Sequence, residues 1–301
     1  MINGLDADLF KTCFANWIES LRDRAPDIVA IDGKTSRRTH ARGKGREPLH
    51  LVSAWASRQR LVLGQQVVDE KSNEIVTIPL LPKRLELTGA LVTIDAIGTR
   101  TEIADEIVGC GGDHLSALKG NRPVLHADVV AFIDDPSAEM PEPAFQTTDA
   151  DHGRIEERRH VVCHEVDWLF SDRRYADEPR VPHPAMIGMV ESRIERNGAV
   201  ARERRYRLSS TRLDAITFAA AVRAHRGVEN RLHRVLDVVS HDDLARLRSG
   251  NGPHNMAVVK HMAMNLVRHP EDRHSLEVRR KLANLTPDHL ETLTRQTSAL
   301  T

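Results

Sequence analysis

The chain has 301 residues, 40% of them apolar and 29% charged, with 43 basic and 43 acidic side chains. That is length for one large domain or two modest ones, and zero net charge excludes a uniformly basic nucleic-acid binder, so any case for DNA must rest on local clusters. Cys13, Cys110 and Cys163 lie far apart, which excludes a disulfide scaffold and a cysteine zinc site and suits a reducing cytoplasm; no apolar run reaches membrane-spanning length, and the N-terminus lacks the basic-then-apolar pattern of a signal peptide.

Residues 8–21 place Leu9, Phe10, Cys13, Phe14, Trp17, Ile18 and Leu21 at helical spacing, with Asp6 or Asp8 as cap. Ile28–Ile31 is a short apolar run, predicted as a buried strand that ends at Asp32. Leu49–Ala56 and Leu61–Val68 are two further strands, and Ser57-Arg58-Gln59-Arg60 between them suits a hairpin turn. A helix starting at Ser72 or Asn73 and running to Leu87 is interrupted by Pro79 and Pro82. Ala90–Ile94 is a buried strand ending at Asp95. Thr101–Val108 is a helix closed by Gly109, Gly111 and Gly112, followed by a strand at Leu115–Leu118 and a helix at Pro123–Ile133.

Residues 134–145, with three prolines and several acids, read as a boundary, and 146–211 as a β-rich insertion whose Asn197-Gly198 is a strong hairpin turn. Asp214 caps a long helical region through Leu236. A second helix follows Pro253 with Met256, Val259, Ala263 and Leu266 on one face, and 271–301 is a short helical tail. Strands that open as a meander and then alternate with helices predict an α/β chain: a mixed sheet with helices on its faces.

Asp32 in IDGK and Asp95 in TIDA both follow apolar strands, at the sheet end where α/β proteins collect ligands and chemistry. Glu229 lies in a helix, in VENRLHRVLD. Divalent magnesium takes hard oxygen ligands, and two such ions ~3.5–4 Å apart serve phosphodiester cleavage by activating the attacking oxygen and stabilising the leaving one. Carboxylates gathered from separate elements suit that chemistry. Taken singly, Asp32 before Gly33 also fits a turn, Asp95 a helix cap and Glu229 a solvated helix face.

Residues 33–46 carry Lys34, Arg37, Arg38, Arg42, Lys44 and Arg46 with no acid, a loop that fits either a phosphate backbone or plain solvent. Arg223, Arg226, Arg231 and Arg234 flank Glu229, which suits a docked polyanion. A competing pattern sits on the same helix. His225, Glu229, His233, Asp237 and His241 recur every four residues, so the first three are a zinc-hydrolase alternative. Each step of four overshoots a turn by roughly 40°, so all five cannot face one ion.

Motifs in fixed order complete the picture: AIDGKTSR (30–37), HLVSAWA (50–56), DEKSNEI (69–75), VTIDAIGT (92–99), LKGNRP (118–123), HGRIEERR (152–159), RYRLSS (205–210), HRGVENRLHRVLDV (225–238) and NMAVVKHMAMNLVR (255–268). With them the chain resembles the H-repeat-associated, ISAs-type branch of the DDE transposases over about residues 27–268. The resemblance implies a ribonuclease-H-like fold with the β-rich insertion between the second Asp and the Glu, and Asp32, Asp95 and Glu229 as catalytic, metal-binding triad. It implies two Mg2+ ions (Mn2+ as substitute), DNA ends and target DNA as partners, a dimer in the synaptic complex, no membrane, and cytoplasmic action on the bacterial nucleoid. Lys34, Arg37, Arg38, Lys119, Arg154, Arg226 and Arg231 are the expected DNA contacts.

The division expected on this basis is 1–26 as the remnant of an N-terminal helical region, 27–145 as the first part of the catalytic core, 146–211 as the insertion, 212–270 as the helical second part and 271–301 as a tail. Departures from the family pattern include a shorter start, Arg226 and Arg234 where tryptophan is usual, Arg100 for glutamine, and Ser240-His241-Asp242-Asp243 for Phe-x-Glu-Asp. They frame the alternative of a truncated, inactive remnant that at most binds DNA.

Overall fold

The computed structural model describes residues 1–23, 25–40, 43, 47–68, 73–95, 100–120, 122–135, 144–151, 154–169, 183–268 and 272–296. Its contacts divide the chain into Met1–Glu86 with Arg226–Thr301, and Leu87–His225.

In the first unit, α1 (Ala7–Leu21) is capped by Asp6, whose carboxylate accepts from the backbone N–H of Asp8 and Leu9. Of its predicted apolar face, Phe14, Ile18 and Leu21 are buried, whereas Leu9 is exposed. β1 (Ile28–Ser36), β2 (Leu49–Ala56) and β3 (Leu61–Val68) form the expected antiparallel meander. One expectation is corrected here. β1 does not end at Asp32 but continues to Ser36, and Asp32 faces Ser53 of β2 well inside the ladder. The strand persists through polar sequence because Lys34 and Ser36 find partners on helices some two hundred residues later.

The proline-rich helix breaks as expected. α2 (Glu74–Thr77), capped by the Asn73 side chain, gives way to 3-10 turns at Ile78–Leu80 and Pro82–Arg84. Ser72 lies outside the described residues.

The C-terminal half of this unit holds α6 (Arg234–Val239), α7 (Gly252–Arg268), α8 (Leu276–Leu285) and α9 (Pro287–Gln296). The face predicted for α7 is also corrected. Val259 and Ala263 are exposed, and the helix buries Ala257, Val258, His261, Met264 and Asn265. Two polar residues belong to that face because they have work on the sheet. Asn265 donates to the Val62 carbonyl and accepts from the Val62 N–H, both at 3.0 Å, acting as a one-residue partner for β3.

The second unit carries β4 (Leu91–Ile94), α3 (Thr101–Gly109), β5 (Asp113–Leu118), α4 (Pro123–Asp134), β6 (Phe145–Asp151), β7 (Arg154–Cys163), β8 (Met186–Arg196), β9 (Ala199–Ser209) and α5 (Ala215–Val228). β4 and β5 are parallel, and the order β4-β5-β9-β8-β7-β6 is otherwise antiparallel, so the sheet is mixed. Asn197 and Gly198, with φ of 51° and 78°, make the two-residue β8–β9 turn. Asp214 caps α5 through the Thr217 N–H. α5 lays Phe218 directly over Gly188, where an added Cβ would come within 2.5 Å of the ring. Leu118, Val129, Val161, Ile187 and Leu208 are among the buried core residues. No helix among the described residues is long and apolar enough to cross a membrane.

Candidate active site

Asp32 stands on one face of β1 with Ala30, Lys34 and Ser36, since alternate residues share a face. Over that face runs the continuation of α5: a π-helical turn at Glu229–His233, then α6. Two contacts join strand to helix in order, and a third reaches the 3-10 turn Asp242–Leu244 that follows α6. His233 Nδ1 lies 3.6 Å from Asp32 Oδ2. Lys34 Nζ donates to both carboxylate oxygens of Asp237, at 2.7 and 2.8 Å. Ser36 Oγ donates to Asp242 Oδ2 at 2.6 Å.

The first two contacts are two residues apart on the strand and four apart on the helix, advances of about 6.7 and 6 Å. The two elements therefore keep step and run in the same direction. Glu229, one turn before His233, is exposed on this helix about 6 Å along from the level of Asp32.

The π turn has its own support. A π turn takes backbone carbonyls out of the i→i+4 pattern, and Arg268 on α7 donates to the Arg231 carbonyl within it. The same guanidinium sits 4.8 Å from the ring centroid of buried Trp55. Burial lowers its pKa to about 10, which leaves it charged at neutral pH.

Around Asp242 the seam is buried. Lys260 Nζ donates to Asp242 Oδ1 at 2.6 Å, with side-chain exposures of 13% and 8%. Burial works against the charged Asp242, but the hydrogen bonds from Lys260 and Ser36 win, and its pKa falls below the usual carboxylate value. His233 and His261 line the same cleft, and burial lowers each to a pKa of about 4, so both are neutral at pH 7. Asp237, Asp242 and Asp243 form a group close enough to share an ion. Its carboxylates already face Lys34, Lys260, Ser36 and Arg37, so the trio is an internal ion-pair cluster. His225, Glu229 and His233, the zinc alternative, are not in that group.

Asp95 belongs to the second unit, directly after β4. Beside it, Arg207 of β9 donates to the Ile94 carbonyl at 3.4 Å, and Thr93 Oγ1 pairs with His225 Nδ1 at 3.1 Å. Burial, then the charges of Arg207 and Lys119, lower the His225 pKa to about 4. A neutral histidine and the Arg207 guanidinium thus stand beside the strand end that carries Asp95.

The expected DNA contacts divide into two groups. Arg37, Arg38, Lys119, Arg154 and Arg231 are exposed, and Arg226 is half-buried. Arg154 already pairs with Glu156 at 2.5 Å, and Arg37 approaches Asp243 at 3.5 Å. Lys34 differs from all of these, being 12% exposed and held by Asp237. Sequence reasoning missed Asp242, Lys260, His261 and Arg268 as parts of the seam. For Lys260, His261 and Arg268 the signal was polar residues within the apolar pattern of α7, and Asp242, in the turn before it, carried none.

The description "Transposase DDE domain" matches residues 23–266, a span that includes Asp32, Asp95 and Glu229. This chain belongs to the DDE transposase family. Within it the H-repeat-associated branch is the matching one. The "H repeat-associated putative transposase YhhI" of Escherichia coli (strain K12) is 35% identical over 263 residues, covering 86% of this chain and 68% of that one. The "Putative transposase YncI" of Escherichia coli O157:H7 is 34% identical over 303 residues, covering 100% of this chain and 77% of that one. Among solved structures, a piggyBac transposase in a synaptic complex with hairpin DNA aligns with a TM-score of 0.44 at 12% identity over 94% of this chain and 59% of that one, too distant to carry detail of the site. The mixed α/β architecture, with β6–β9 between Asp95 and Glu229, has the mixed sheet and the β-rich stretch before the Glu that were expected from the sequence.

Proposed function

We propose that this transposase cuts and rejoins DNA with Asp32, Asp95 and Glu229 as a shared carboxylate triad. The observation that carries the reading is the family match spanning all three acids, together with the helix of Glu229 laid in step along the strand of Asp32. The donor chemistry fits magnesium or manganese. All three are hard oxygen ligands, and the nearest lysine on the Asp32 face is engaged with Asp237.

Two bound ions would supply Lewis-acid activation of the attacking oxygen and charge neutralisation at the leaving one. The chain's own residues do the rest. Asp32 and Glu229 are presented from a rigid strand and helix, and Asp95 from the end of β4. The exposed arginines Arg37, Arg38 and Arg231, with half-buried Arg226 and with Lys119 and Arg154 of the other unit, attract the phosphate backbone of element ends and target. Water cuts a strand at the element's end, and the freed 3′ hydroxyl then attacks target DNA. Synapsis of two ends calls for a dimer, acting on nucleoid DNA in the cytoplasm.

Nicking of supercoiled plasmid carrying the gene's flanking DNA tests the reading. Asp95→Asn should lower magnesium-dependent nicking by roughly 100-fold or more. Nicking at the wild-type rate by that variant would contradict it, and absence of nicking by the wild-type chain would favour the inactive remnant.

A further inference from the structure

The seam between β1 and the Glu229 helix contains one contact stronger than a DNA-binding role for Lys34 requires. Lys34 Nζ meets both oxygens of Asp237, at 2.7 and 2.8 Å, while its side chain is 12% exposed. Lys34 is two residues from Asp32 on the same strand face, and Asp237 lies two helical turns beyond Glu229. The contact of His233 with Asp32, one turn back, fits the same register, and Ser36 donates to Asp242 in the 3-10 turn just after α6. A slip of the helix by one residue would turn it by about 100° and break both helix contacts, His233 with Asp32 and Asp237 with Lys34.

We propose that Lys34 and Asp237 are positioning residues: their ion pair pins the helix to β1 and so sets where Glu229 stands relative to Asp32. The inference rests on the carboxylate triad proposed above. It assigns Lys34 a role within the protein rather than on phosphate. A lysine that worked by touching DNA would leave metal binding in the absence of DNA unchanged.

The test is Mn2+ affinity of the full chain without DNA, measured by titration calorimetry alongside urea unfolding. Lys34 is 12% and Asp237 33% exposed, and replacing both partners of such a partly buried pair by apolar residues of similar volume costs little stability. Lys34→Met with Asp237→Leu should therefore fold with a near wild-type midpoint and yet bind Mn2+ roughly 10–100-fold more weakly, the size of effect typical when a ligand's supporting partner is lost. Wild-type affinity in that double variant overturns the proposal. Should its midpoint fall, the swapped pair Lys34→Asp with Asp237→Lys decides: recovered affinity relative to Lys34→Asp alone supports the pin, and no recovery overturns it. Asp32→Asn is the control that separates the two claims. If it binds Mn2+ like the wild type, the triad reading fails and the pin with it. If it loses binding while Lys34→Met with Asp237→Leu keeps it, only the pin fails.

Discussion

The seam over β1 and the ribbon β7–β9 are both rich in ion pairs, and the Lys260–Asp242 pair of the one and the Arg193 pairs of the other differ in depth. In the seam, Asp242 and Lys260 are 8% and 13% exposed, and Asp242 accepts hydrogen bonds from both Lys260 and Ser36. In the ribbon, Arg193 reaches Glu157 and Glu195 at 3.2 and 3.0 Å with exposures of 36%, 51% and 40%. Distances alone would rank the ribbon pairs close to those of the seam. Desolvation separates them: a buried charge deprived of its partner is stranded, whereas an exposed one returns to water. On the proposal above, the seam sets the geometry of the site, whereas the exposed Arg193 pairs contribute little to stability.

The largest effect should come from breaking the seam's deepest pair. Lys260→Met leaves Asp242 buried without its cation and should lower unfolding free energy by about 3–5 kcal/mol, read by urea denaturation at pH 7. Next is acid sensitivity. His261 is held neutral, with its pKa lowered from 6.5 to about 4 by burial. The unfolded chain takes up its proton near pH 6.5 and the folded chain only near pH 4, so stability is full above pH 6.5 and declines as pH falls between those values. The loss is on the order of 3 kcal/mol for this residue. His261→Gln should flatten the slope between pH 6.5 and 4.5, and an unaltered slope would show that other groups govern it.

In the ribbon, the sensitive point is packing rather than charge. Gly188→Ala drives a methyl into the Phe218 ring and should cost about 1–3 kcal/mol. The smallest effect is Arg193→Ala, about 0–1 kcal/mol in the same assay. A larger loss at Arg193 than at Lys260 would reverse the comparison between the two regions.

The sequence made the apolar strands and their turns legible because those depend on neighbours. Leu49–Ala56 and Leu61–Val68 came out with their full bounds, and Asn197-Gly198 marked its hairpin. What escaped was structure stabilised from afar. The extension of β1 to Ser36 depends on Asp237 and Asp242, about two hundred residues away, so its polar stretch read as a loop. The buried face of α7 escaped because His261 and Asn265 are polar. The π turn at Glu229–His233 left no mark on the hydrophobic pattern, since its support is the Arg268 side chain on a later helix. Asp32, Asp95 and Glu229 were selected by position after strands and by motif, whereas the pairs around them only became visible in three dimensions.

Convergence of the three acids on common metal ions is open to direct mapping. Fe2+ substituted into the site reduces added hydrogen peroxide to hydroxyl radical and hydroxide, with ascorbate returning Fe3+ to Fe2+; the radicals cut the backbone next to the metal's ligands, and mass spectrometry locates the cuts. The account predicts cleavage clustered near residues 32, 95 and 229, suppressed by excess Mg2+. Cleavage centred on Asp237, Asp242 and Asp243, or at two of the three acids with none near the third, would contradict it.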